Sequence, residues 1–62
     1  MTYDLVINDR YGVFRHWVVA NRLPKIGERI VLENPSVKGT VLRIEPPPAP
    51  DHPYDVYIEE EE

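Results

Sequence analysis

The sequence predicts a single all-β domain, five short antiparallel strands curled into a small barrel or sheet. Three observations carry this. Apolar residues recur with period two in five segments, and no stretch holds a convincing helical period. Clusters of Asn, Asp, Gly and Pro punctuate those segments. The chain has 62 residues, enough for one domain, and strands this short protect their edges best by closing on themselves.

The first strand is expected over Tyr3–Asn8, with Tyr3, Leu5 and Ile7 inward and Val6 an apolar residue on the outer face. Asn8-Asp9-Arg10-Tyr11-Gly12 is turn chemistry, because Asn and Asp tolerate left-handed backbone and Gly12 reaches positive φ without a Cβ clash. Val13–Ala20, β-branched and aromatic, completes a hairpin. Its buried face is open between Phe14/His16/Val18/Ala20 and Val13/Arg15/Trp17/Val19. Asn21–Gly27 is a loop, since Pro24 cannot donate to a ladder. Glu28–Glu33 is the third strand, with Ile30 and Leu32 inward. Asn34–Gly39 is a second turn in which Gly39 restarts the chain.

Thr40–Glu45 follows, with Leu42 and Ile44 inward and Val41, Arg43 and Glu45 outward. Residues 46–53 hold five of the seven prolines. They read as a stiff polyproline connector, because the one P-x-x-P, Pro47 to Pro50, lacks a basic residue in register. Tyr54–Ile58 is the last strand. The expected core is therefore Leu5, Ile7, Ile30, Leu32, Leu42, Ile44, Val56 and Ile58. Residues 1–58 form the domain and Glu59–Glu62 an acidic, solvated tail.

Pro24-Lys25-Ile26-Gly27-Glu28-Arg29-Ile30 and then Gly39-Thr40-Val41-Leu42-Arg43-Ile44 resemble a P-x-h-G-[DE]-x-h … G-x-V-h-x-h pattern. That pattern is common in SH3-like small barrels. The resemblance covers residues 24–45 and implies an SH3-like closure in preference to an OB-like one. Many unrelated families share it, so it implies a fold and no activity.

Charge and composition bound the function. Seven Lys+Arg oppose eleven Asp+Glu, a net charge of −4. The closing glutamates supply all of it, which excludes a broadly basic nucleic-acid coat. With 42% hydrophobic residues the chain is too apolar to be disordered. It has no cysteine, so disulfides and thiolate metal sites are excluded, and a reducing, cytoplasmic setting fits. No signal peptide is visible at Met1-Thr2-Tyr3-Asp4 and no apolar run approaches a membrane span.

Catalysis finds little support. Ser36 is the only serine and falls in an expected turn. Lys38-Gly39-Thr40 lacks the glycines and helix of a phosphate loop. His16 and His52 have no ligand spacing around them, so no metal, cofactor or catalytic residue is expected.

Residues 10–25 are different: Arg10, Arg15, Arg22 and Lys25 occur there with no acid, and Tyr11, Phe14 and Trp17 are interleaved. Arg15 and Trp17, two apart on a strand, share a face. Stacking surface beside forked cations suits either a protein hot spot or single-stranded nucleic acid. Trp17 is read as either a core anchor, the commoner role for a lone tryptophan, or ligand surface. Tyr57 is the other aromatic expected outside.

Three functions follow in order. The first is a non-catalytic protein-interaction module that engages a protein partner or its own copy. The alternative is a single- or double-stranded nucleic-acid-binding barrel using Arg10, Tyr11, Arg15, Trp17, Arg22 and Lys25. The third is an accessory subunit of a larger enzyme.

Overall fold

A computed structural model describes residues 1–61. It contains β1 (Thr2–Asp9), β2 (Gly12–Val19), β3 (Arg29–Glu33), β4 (Ser36–Glu45) and β5 (Tyr54–Glu60), with no helix among the described residues. The five strands form one curled, half-barrel sheet in the order β2-β1-β5-β4-β3. The all-β reading is therefore correct. One pairing departs from the antiparallel expectation: β1 runs parallel to β5, with Leu5 beside Val56 and Ile7 beside Ile58. The three intervening strands supply the long crossover that a parallel pair requires.

The hairpins form where turn chemistry places them. Between β1 and β2 only Arg10 and Tyr11 lie outside the ladder. Asp9 Oδ1 accepts the Tyr11 N–H at 2.8 Å, and Gly12 takes the left-handed position at φ 124°. Neither Asn8 nor Asp9 uses positive φ; among the described residues only glycines do so. The second hairpin turns at Asn34-Pro35, and β4 already begins at Ser36.

Gly39 consequently lies inside β4 rather than restarting it, and its role is close approach. A Cβ there would sit 2.6 Å from the Glu59 carbonyl oxygen and 2.9 Å from Ile58 Cδ1. Only glycine lets β4 come this near β5.

The core is Tyr3, Leu5, Ile7, Ile30, Val37, Val41, Val56 and Ile58, with Val18, Ala20, Leu23, Leu32 and Ile44 packed around it. Five of the eight expected core residues are buried, while Leu32 and Ile44 are half-buried. Leu42 is a correction: it is 53% exposed, whereas Val41, expected outside, is 2% exposed. The β4–β5 register shifts between Val41 and Arg43. The additional residue reverses the alternation, so Val37 and Val41 face inward before the bulge and Ile44 after it.

Val6 is the second correction. It is 1% exposed despite its outward parity, because β1 lies between β2 and β5 and Val6 is flanked by Arg15 and Tyr57. Their long side chains cover a short one.

The closing glutamates also differ from a free tail. Glu59 and Glu60 extend β5 opposite Thr40 and Gly39. The Glu61 N–H donates to Lys38 O at 2.7 Å, and its carboxylate takes both Arg29 Nε at 2.8 Å and Nη2 at 3.0 Å. The boundary expected after Ile58 thus falls within β5. Glu62 lies outside the described residues.

Candidate interaction surface

The structure separates the seven candidate residues into three places. Arg10 and Tyr11 form the tip of the first hairpin, where Tyr11 is 83% exposed and the Arg10 guanidinium lies 5.0 Å from its ring centroid. Arg22 and Lys25 belong to the β2–β3 loop. Arg15, Trp17 and Tyr57 share the outer face of the sheet.

The outer face has a legible order because alternation fixes it. Arg15, Val6, Tyr57 and Arg43 lie side by side across β2, β1, β5 and β4. Trp17, Asp4, Asp55 and Glu45 form the next row. A cationic and aromatic row therefore adjoins an acidic one. Arg15 Nη1 stands 3.1 Å from Asp55 Oδ1 and 3.5 Å from Asp4 Oδ2. Arg43 covers the Tyr57 ring at 4.1 Å, a cation–π contact. Hydrogen bonding and attraction to Asp55 raise the Arg15 pKa further above its ordinary value.

Of the two loop cations, Arg22 is engaged in the same manner. Arg22 holds Glu28 through two bonds, Nη1 to Oε1 at 2.8 Å and Nη2 to Oε2 at 3.1 Å. The Lys25 N–H adds a third at 3.1 Å. The Arg22 bond, with the Lys25 amide, holds the Glu28 carboxyl below its usual range. The stretch 10–25 contains no acid in sequence, but the fold delivers Asp4, Asp55 and Glu28 to it. No continuous cationic strip forms.

Trp17 is outside, 56% exposed, which decides between its two readings against the core. Sequence reasoning missed its neighbours Val13 and Val19, which are 61% and 76% exposed on the same face. On the inner face, Phe14 is 41% exposed and stacks on His16 at 6.3 Å.

Both outermost strands leave peptide groups unpaired. Ala20 N–H donates to Met1 O at 2.9 Å, and the Met1 ammonium donates to Ala20 O at 2.8 Å. Such doubly bonded pairs alternate along an antiparallel ladder. Phe14, His16 and Val18 thus bond β1, while Val13, Arg15, Trp17 and Val19 turn their N–H and C=O groups to the open edge. By the same parity, Val41 N–H to Glu28 O at 2.9 Å leaves Arg29, Val31 and Glu33 free on β3.

The two edges contrast. That of β3 has five residues and two charges, the usual devices against unwanted pairing. That of β2 has eight residues, no proline and Arg15 as its only Lys, Arg, Asp or Glu. The Cα atoms of β2 and β3 stay more than 8 Å apart, so the half-barrel does not close on itself.

Ser36, His16 and His52 occupy the start of β4, the middle of β2 and the β4–β5 connection. Among the described residues no group of three His, Cys, Asp or Glu side chains is placed to hold a metal, and no helix is long and apolar enough to cross a membrane. No protein-family model, curated protein or solved structure matches the chain at a significant level.

Proposed function

We propose that this protein is a small, non-catalytic protein-interaction module of the cytoplasm, an SH3-like half-barrel that docks its partner along β2. One observation carries the reading. The longer of the two sheet edges is unblunted, and the residues that own its free peptide groups, Val13, Arg15, Trp17 and Val19, also present the exposed side chains of the outer face. Strand addition there combines main-chain hydrogen bonds with side-chain selection on one face. The tryptophan and arginine supply residue types that dominate interface energetics.

The nucleic-acid alternative has less support. Arg15 and Arg22 already hold carboxylates, and Asp4, Asp55 and Glu45 border Trp17 where a phosphate chain would run. Arg10 at the hairpin tip and Lys25 in the loop remain without an ion pair among the described residues. Two separated cations make a weak phosphate track.

Isotope-labelled protein observed by NMR in extract of its source cells tests the choice. The expected result is broadening centred on β2, sensitive to Trp17→Ser, with no response to single- or double-stranded oligonucleotides at ~50 mM salt, where phosphate contacts are strong. Oligonucleotide-induced shifts at Arg10, Arg15 and Lys25 would reverse the order of the two readings.

A further inference from the structure

Resting on the docking role of β2, we infer that the partner of this edge is a second copy of the chain, joined by antiparallel β2–β2 pairing in one register. Parity restricts the choice. The free peptide groups are those of Val13, Arg15, Trp17 and Val19, and hydrogen bonds form only where free groups oppose free groups. One two-fold register uses all four on each strand, and it sets Val13 against Val19 and Arg15 against Trp17 of the other copy. Each such pair occurs twice and exchanges both N–H···O bonds, about eight in total.

Side-chain chemistry selects the same register. Moving the axis one step toward Val13 sets Arg15 against Arg15 of the other copy, a like-charge contact. Moving it one step toward Val19 leaves Val13 unpaired. In the central register each guanidinium meets an indole, the favoured aromatic for a cation, and the valines meet each other. On the inner face Phe14 meets Val18 of the second copy, and the two His16 residues meet at the axis. No acid of either β2 is brought against another, because β2 contains none.

The size of the chain gives the pairing a purpose. Sixty-two residues with no disulfide bury a modest fraction of their surface, and association is one of the few available supplements. A two-fold joint also terminates cleanly: each copy uses its only unblunted edge, so the sheet ends at two short charged β3 strands.

The absence of native cysteine makes the register directly readable. His16 residues paired across the axis in a non-hydrogen-bonded position have Cα atoms ~4.5 Å apart, within disulfide reach. Sedimentation equilibrium of the purified full chain should show a concentration-dependent dimer. His16→Cys should then cross-link with itself on mild oxidation. Phe14→Cys and Val18→Cys should stay uncross-linked alone and cross-link when mixed, so the test survives if one variant folds poorly. Trp17→Lys, which opposes two cations twice, should weaken the dimer about tenfold or more.

A chain that remains monomeric at millimolar concentration would overturn self-pairing. So would Phe14→Cys cross-linking alone as readily as His16→Cys. Broadening of β2 in extract by a chain that is monomeric when pure would remove self-pairing yet leave the docking reading standing. No broadening and no dimer would remove both.

Discussion

Val41 and Leu42 are adjacent, both apolar, and have opposite surroundings, so truncating each in turn tests the bulge that governs β4. Val41 is 2% exposed within the core and Leu42 is 53% exposed. Val41→Ala removes two buried carbons, at ~0.8 kcal/mol each. The residual cavity, about 40 Å³ at ~24 cal/mol per Å³, adds ~1 kcal/mol. The expected loss is about 2.5 kcal/mol, half or more of the ~3–5 kcal/mol that a core of this size supplies. In a thermal melt that is a fall of roughly 10–20 °C. Leu42→Ala removes a larger side chain but should stay within ~0.5 kcal/mol of the parent. Urea titrations of the three proteins, followed by tryptophan fluorescence with circular dichroism as a second probe, give the comparison. Leu42→Ala proving as costly as Val41→Ala would refute the bulge and restore uninterrupted alternation along β4.

Three further outcomes follow from named contacts. Gly39→Ala should destabilise by about 1–3 kcal/mol, since its Cβ would meet the backbone of Glu59 at 2.6 Å; unchanged or raised stability in urea would refute the close approach. Glu28 and Glu61 are both held below the usual carboxylate range, chiefly by bonds from Arg22 and Arg29 respectively. A carboxyl depressed in the folded state contributes stability above its unfolded pKa and loses it as pH falls through the folded one. Stability should therefore decline below about pH 4, and Glu28→Gln or Glu61→Gln should flatten that acid limb. Burial, and secondarily the charge of Glu28, push the Tyr3 hydroxyl above its ordinary value. The unfolded phenol ionises first, so stability should fall as pH rises beyond ~10, and Tyr3→Phe should remove that part of the alkaline loss.

Period-two patterning made the strands legible, and Gly12 marked the first turn, because both signals are local. The failures all arise from neighbours distant in sequence. Val6 is buried by Arg15 and Tyr57, residues on two other strands. The bulge at Leu42 leaves no mark in the run Val41-Leu42-Arg43, where every residue suits a strand. Gly39 resembled a turn residue until β5 approached it. The same distance effect governs the surface: an acid-free segment predicted a cationic face, yet Asp4, Asp55 and Glu28 come from outside its boundaries. Trp17 was undecidable locally, since either parity of β2 contained one polar member, and only the pairing of Trp17 with Asp4 across β1 fixes it outward. The bare edge of β2 did have a sequence signal, an eight-residue strand segment with one charge and no proline. Its meaning depended on knowing that β2 lies at the margin of the sheet.

Residue-resolved amide hydrogen exchange on dilute protein tests the central claim, a half-barrel with β2 as its open edge. Phe14, His16 and Val18 should be protected through their bonds to β1, while Val13, Arg15, Trp17 and Val19 exchange fast, giving a strict alternation along one strand. Uniform protection from Val13 to Val19 in the dilute chain would mean that another strand already covers this edge. The opposite alternation would place Trp17 against β1 and contradict the surface on which the proposed function rests.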